Sequence, residues 1–388
     1  MKKLWLWLWL TAMTALSGGG AEPGFYVWQR VWTPAVEAAA AACPRDLYVL
    51  AAEFTWQSGR CQVDRAAVPA SLLRRDRVTA VYRLNGRRFE PASAAAVAAA
   101  VAAEMRRVPC RHLQLDVDCP ENKLAEYAAW LTRLKTQLPD RRFSVTVLPC
   151  HLGHAEFRQL AGLTEYYVLQ VHSLHVPATV NDDCRLLRRE EAAAAIDRAE
   201  KLGLPFKVAL PCYTYQLNFD RVTGRFAGLN AEPRAYPPEQ YVARLAEVDL
   251  TSLHDILSRS PACSWIWFRL PVGGERLVLS RTTIAALEHG DVPKPKVQAE
   301  CRADGTGRVA LLVRSDARFG YGTVDLDLVW PQPTGEFDLF GGTKNLSDNR
   351  VFGVLPRQLR VQLPGDGEEC KAAVFYGGCQ PTKIEVKP

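Results

Sequence analysis

Residues 112–121 read HLQLDVDCPE. Side chains alternate along a strand, so Leu113 and Leu115 share one face while Gln114, Asp116 and Asp118 share the other. Pro120 ends the strand. From Asn122 to Gln137 a helix is expected, with Leu124, Tyr127, Leu131 and Leu134 at helical spacing. A buried strand that ends in acid and leads into a helix suits the C-terminal mouth of a parallel barrel, where active sites collect.

The same strand–helix unit recurs on both sides. Strands are expected at 24–32, 47–56, 78–86, 142–150, 166–174, 204–217 and 264–272. Helices are expected at 34–42, 93–107, 156–163, 190–202, 238–257 and 281–288, with Gly203 as a C-terminal cap. The strands are near-continuous apolar runs, as buried parallel strands should be. About eight units in roughly 270 residues match a (β/α)8 TIM-type barrel. No glycine-rich phosphate loop follows the first strand, which argues against a dinucleotide fold. At Asp291 the pattern changes to DVPKPK, a stiff proline linker over 291–295. Beyond it GRVALLVRS, TVDLDLVW, RQLRVQL and KAAVFYG are short alternating runs with no helices between them. The expected architecture is a barrel over residues 22–290 and a small all-β, sandwich-like domain over 296–388.

The N-terminus predicts export. Lys2 and Lys3 precede an apolar run from Leu4 to Leu16 that is too short to span a bilayer comfortably, and Gly19 and Ala21 fit a cleavage site. Residues 1–21 therefore read as a signal peptide, with the mature protein periplasmic or extracellular. No cysteine marks a lipid anchor, and no later run is long enough for a membrane span. Composition is that of a globular chain, 48% hydrophobic and 23% charged. The net charge of +6 is spread over short mixed clusters such as Arg74-Arg75-Asp76-Arg77, solvated faces rather than a nucleic-acid footprint. Eleven cysteines is an odd count, without CxxC or zinc-type spacing. In an exported chain a bridge among Cys301, Cys370 and Cys379 is plausible, and Cys119 and Cys150 fall at neighbouring strand ends; the alternative is that most are small buried hydrophobes. No cofactor is implied, and the oligomeric state is left open.

A barrel gathers its strand ends at one mouth. The polar groups expected there are Gln29, Arg30, Glu53, Arg83, Asn85, Asp116, Asp118, His151, Gln170, His172 and Arg269, with Tyr213, Tyr215 and Trp267 as aromatic platforms. Carboxylates, arginines and rings around one cavity resemble a sugar site, because rings stack on pyranose faces and carboxylates do acid–base work on glycosidic bonds. Asp118 is the candidate general acid, Asp116 its stabilising partner and Glu53 the base or nucleophile. Arg83, Gln170, His172, Tyr213, Tyr215, Trp267 and Arg269 would hold substrate. Asp116 and Asp118 lie about 6–7 Å apart by strand geometry, between the retaining and inverting separations. Two like charges that close push one pKa up. Structural alternatives stand beside each role. Asp118 and Glu121 fit a capping box around Pro120. Asp116 fits a core anion paired with Arg83 or Arg269, as does Glu53, and His172 a structural histidine. His151 and His154 have the HxxH spacing of a metal site, as in a metal-dependent deacetylase, but no third ligand is evident, so no metal site is expected.

Taken in order, YVWQRVW (26–32), QLDVDCP (114–120), VLQVHSL (168–174), VALPCYTYQLNFD (208–220) and WFRLP (267–271) resemble a family of exported bacterial proteins, domain of unknown function 3142. The resemblance covers roughly residues 24–290 and implies a glycoside-hydrolase-like barrel. That family's acidic motif looks like QLDYDAP; Asp116 and Asp118 match it, and Val117 and Cys119 depart from it. A looser similarity links the stretch to chitinase-type glycosidases, whose fourth strand ends Asp-x-Asp-x-Glu. Pro120 stands at the position of that proton-donating glutamate, and Glu121 comes one residue late, so the substrate-assisted mechanism does not carry over. The leading expectation is a secreted glycoside-hydrolase-like enzyme acting on a polysaccharide or glycan; the alternative is a non-catalytic carbohydrate-binding or envelope protein on a degenerate barrel. Two carboxylates about 5–9.5 Å apart across an open cleft favour the first; carboxylates locked into arginine pairs beneath a closed mouth favour the second.

Overall fold

A computed structural model describes residues 22–387, apart from 58–59, 86–90, 232–236, 238, 247, 260–263, 274, 276, 294–295, 316–322, 341–342, 348–352 and 363–368. The expected signal peptide lies outside the described residues. Eight parallel strands close a barrel in chain order: β1 (Gly24–Val27), β2 (Leu47–Gln57), β3 (Val78–Asn85), β4 (His112–Val117), β5 (Arg142–Val147), β6 (Tyr166–Gln170), β7 (Phe206–Pro211) and β8 (Ser264–Phe268). Pairing of β8 with β1 completes the ring. A helix follows each strand; the longest are Pro91–Arg106, Leu124–Gln137 and Arg189–Leu202. The last of these ends at Gly203 in a left-handed conformation, as the sequence predicts.

Two apolar layers hold the barrel. Tyr26, Tyr48, Val81, Val168, Ala209 and Ile266 fill its interior. Residues of opposite phase, among them Val27, Val49, Tyr82, Leu115 and Leu169, pack outward in the larger cluster with the helices. One irregularity matters for the mouth. Leu50 pairs with Val81 but Ala52 pairs with Tyr82, so Ala51 is an extra residue in β2. The bulge reverses the phase of the strand. Strict alternation places Glu53 with Val49; in the structure Val49 faces the helices and Glu53 stands beside Arg83. Beyond the barrel rim β2 continues as an antiparallel hairpin with Arg60–Arg65.

The expected helix over 238–257 is only half present. Tyr241–Leu245 is a strand, and the helix runs over Leu250–Arg259. The strand joins Gln216–Asp220 and Phe226–Asn230 in a three-stranded antiparallel sheet inserted after β7. Pairing with the buried central strand overrides the local pattern of YVARL, whose β-branched and aromatic residues accept either structure. The seventh barrel strand is correspondingly shorter than expected, and the first, fifth, sixth and eighth also end earlier, at Val27, Val147, Gln170 and Phe268.

Toward the C-terminus, Val297–Ala303, Val309–Ser315, Phe337–Leu339 and Glu369–Phe375 form one four-stranded antiparallel sheet. Thr323–Val329, Lys344–Asn345, Gln358–Gln362 and Lys383–Lys387 form a second. Leu311, Val313 and Phe375 of the first meet Leu326, Leu359 and Val361 of the second in a separate core. The bridge considered among Cys301, Cys370 and Cys379 is not formed, nor is any other among the ten described cysteines. Cys301 and Cys370 stand on strands two ladder steps apart, about 9–10 Å, beyond the reach of a disulfide. Among the described residues no helix is long and apolar enough to cross a membrane.

Candidate functional site at the barrel mouth

Register brings the acidic groups together. Glu53 on β2 pairs with Arg83 on β3, and Arg83 pairs with Asp116 on β4. Arg83 is the hub. Its Nη1 donates to Asp116 Oδ2 at 3.1 Å, its Nη2 to Asp118 Oδ2 at 3.1 Å and its Nε to Asn85 Oδ1 at 3.0 Å. Its guanidinium carbon lies 5.9 Å from the centre of the Trp28 ring.

The two aspartates have different surroundings. Asp116 is buried, and Thr146 Oγ1 on β5 donates to its Oδ1 at 2.6 Å. Burial pushes its carboxyl pKa up, while the Arg83 charge and the Thr146 hydrogen bond pull it back. The Asp118 side chain is 63% exposed, one residue past the strand. It caps nothing: the short helical turn Glu121–Lys123 begins after Pro120 without a side-chain cap. Glu53 is gripped by Arg30, whose Nη2 and Nε reach its two oxygens at 2.8 and 3.1 Å. Each of the three expected catalytic carboxylates thus carries an arginine.

The other expected ligand-holding residues divide. Arg269 pairs with Glu275 at 2.9 Å, and Gln29 also donates to Glu275, at 3.0 Å. Gln170 folds back, its Nε2 donating to the His172 carbonyl at 3.2 Å. His172 is buried against Tyr213 and Phe268, its ring centre 5.7 and 5.5 Å from theirs. Burial pushes its pKa down to about 3. Trp267 does not reach the mouth. It is fully buried in the layer packed against the helices, and its Nε1 donates to Glu288 at 2.7 Å. Ile266 and Phe268 take the inward phase of β8, so Phe268 supplies the ring that was expected from Trp267.

A continuous aromatic strip results. Trp28 and Phe268 are 5.1 Å apart, Phe268 and Tyr213 5.2 Å, and Tyr213 and Tyr215 5.1 Å between ring centres. Trp28, Phe268 and Thr146 were not singled out from the sequence. Both faces of β8 are apolar, which hides its phase. Thr146 had a readable signal, since Ser144 and Thr146 alternate with apolar residues in RFSVTV.

The HxxH pair does not form a metal site. His151 Nδ1 accepts from the Leu148 amide at 3.2 Å and its Nε2 meets the Cys119 carbonyl at 2.8 Å, so both nitrogens are engaged. His154 instead pairs with Glu121 at 2.7 Å. Among the described residues no group of three or more His, Cys, Asp or Glu side chains is placed to hold a metal ion.

Fold and mouth define an α/β barrel protein with an arginine-bound acidic cluster at its strand ends. The chain belongs to the family described as domain of unknown function (DUF3142), whose model matches residues 75–273. No curated protein matches the sequence. Among solved structures it is similar to the chitinase ChiA74 from Bacillus thuringiensis at 8% identity, over 94% of this chain and 100% of that one, with a TM-score of 0.44. A chitinase from Chromobacterium violaceum is 13% identical over 70% of this chain and 98% of that one, with a TM-score of 0.48. The Bacillus cereus spore cortex-lytic enzyme SleL is 11% identical over 70% and 74%, with a TM-score of 0.49. At such identities, substrate and chemistry must be argued from this chain's own residues.

Proposed function

We propose that the protein is exported and binds carbohydrate at the barrel mouth without cleaving it. The observation that carries this reading is the arginine pairing: Arg83 holds both Asp116 and Asp118, and Arg30 holds Glu53 with two bonds. A general acid must reach the leaving oxygen, and Asp116 is buried with its two oxygens held by Arg83 and Thr146. Glu53, the expected base or nucleophile, is oriented by Arg30, which takes one acceptor site on each of its oxygens. The aromatic strip from Trp28 to Tyr215 supplies faces on which sugar rings stack, while polar groups at its edge meet hydroxyls.

A second reading, glycoside hydrolysis with Asp118 as the acid, is favoured by that residue's exposure and by the single bond that ties it to Arg83. One experiment separates the two. The mature chain, residues 22–388, is titrated with soluble cello-, xylo-, manno- and chito-oligosaccharides while new reducing ends are assayed. Binding without new reducing ends is expected, with Trp28→Ala weakening it about tenfold, roughly 1.4 kcal/mol. Reducing ends that vanish in Asp118→Asn would replace binding with hydrolysis. Failure of the wild type to bind any of the sugars would end both readings.

A further inference from the structure

The sequence scatters its basic clusters, but the fold gathers three of them. Residues 74–77 lead into β3, 106–111 into β4 and 140–142 into β5. These strands are neighbours, so the three segments lie side by side at the N-terminal end of the barrel, opposite the mouth. His112 pairs with Thr79 on one side and with Arg142 on the other, which sets the strand starts abreast at about 4.8 Å. Together the segments hold eight arginines against Asp76 and Asp140. Their net charge of +6 equals that of the whole chain, so the rest of the protein is balanced.

These charges are fixed in place without being cancelled. Arg75 donates to the carbonyls of Ala40 and Cys43, Arg77 to that of Pro44, and Arg141 to those of Val108 and Cys110. A carbonyl orients a guanidinium but leaves its charge standing. Glu165 does take Arg142, at 3.2 Å. Arg74, Arg107 and Arg111 are exposed and form no ion pair among the described residues. The chain also enters at this end. Parallel strands share a direction, so β1, which starts at Gly24, begins on the arginine-rich side. Only seven residues separate it from the apolar run Leu4 to Leu16, a reach of at most roughly 30 Å. A chain held by that run in a bilayer, as the export reading has it, turns this face toward the lipid.

We propose that the N-terminal face of the barrel docks on anionic phospholipid headgroups and holds the mouth away from the membrane. Guanidinium groups present forked N–H donors that match phosphate oxygens. Each basic side chain at such a surface strengthens binding by about fivefold. Among the described residues no exposed large hydrophobic side chain lies on the three segments, so attachment is electrostatic and reversed by salt. The segments also lack any aromatic residue on which the bases of a single-stranded nucleic acid would stack. The inference goes beyond the sugar reading and is independent of it.

Co-sedimentation of residues 22–388 with vesicles tests the face without the apolar run. The vesicles are phosphatidylcholine alone, or mixed in equal parts with phosphatidylglycerol. Binding is expected to the mixed vesicles only, at about 0.1 M salt, and should vanish at about 1 M, where screening acts within about 3 Å. The triple variant Arg74→Gln, Arg107→Gln, Arg111→Gln should bind about a hundredfold more weakly. Lysine at the same three positions keeps the charge and should stay within about threefold of the wild type. So should Arg308→Gln, Arg314→Gln, Arg357→Gln, which removes three exposed charges from the C-terminal sheets. Equal losses in the two glutamine variants, or a loss with lysine as large as with glutamine, would overturn the proposal. So would wild-type binding that survives 1 M salt, no binding to the mixed vesicles, or capture of duplex DNA in preference to them. None of these outcomes bears on whether the mouth binds sugar.

Discussion

Arg83 spreads one charge over Asn85, Asp116 and Asp118, and Asp116 is the partner that water cannot rescue. Arg83→Leu should therefore cost about 2–4 kcal/mol in urea unfolding, because it strands a buried carboxylate. Adding Asp116→Asn should recover part of that; a double variant no more stable than the single would show that the charge is not the cause. His172 gives a pH effect of definite sign. Its folded pKa is near 3 and its unfolded value near 6.5, so between those values the unfolded chain binds the extra proton. Stability is then lost as pH falls, by on the order of 2 kcal/mol between pH 6.5 and 5. His151, also lowered by burial, adds in the same direction. Asp116 acts oppositely: its raised folded pKa gives a contribution present at low pH and lost as pH rises through that value. Denaturant titrations at pH 6.5 and 5 should show the acid loss in the wild type and a much flatter response in His172→Phe. An unchanged slope would take His172 out of the account.

At the scale of elements, the extra residue in β2 decides what Glu53 can do. Were Ala51 paired in the ladder rather than bulged out of it, strict alternation would carry Glu53 in phase with Val49, into the apolar layer beneath the helices. Deleting Ala51 should leave a regular ladder with Glu53 still opposite Arg83, so its cost is only that of the lost bend in the strand, about 1–2 kcal/mol. Glu53→Ala, which only loses its pair with the largely exposed Arg30, should cost about 1 kcal/mol or less. Guanidinium unfolding of both variants checks this, and a loss above about 3 kcal/mol on deleting Ala51 would show that the bulge does more than set the phase of Glu53. The bulge was not legible in LYVLAAEFTW, because each of its residues suits either face until the partner strand sets the phase. Glu53 was nonetheless placed at the mouth, since its position along the strand is independent of its face. The insertion over Gln216–Leu245 failed for a related reason: YVARL reads as helix or strand until a partner is present. Where propensity and pattern agreed, as over Arg281–Glu288, the expected range stands unchanged.

At the scale of the molecule, the barrel and the C-terminal sheets have separate apolar cores. Calorimetry of residues 22–388 should show two unfolding transitions, and residues 296–388 made alone should give the smaller one; a single transition would mean that the cores melt as one unit. The class of the fold was legible in the sequence, because eight strand–helix periods leave few ways to bury every apolar face. So was the gathering of polar residues, since those at the C-terminal ends of parallel strands meet at one mouth. What the sequence by itself determined is therefore periodic: the succession of strands and helices, the acidic row of β4, and the Pro120 that follows it. What only the tertiary structure decided is which groups touch. That Arg83 takes both aspartates, that Phe268 and not Trp267 takes the inward phase, and that the His172 ring is buried against Tyr213 and Phe268 all depend on register and phase between strands far apart in the chain. Local sequence carries no information about a neighbour that closure of the barrel supplies.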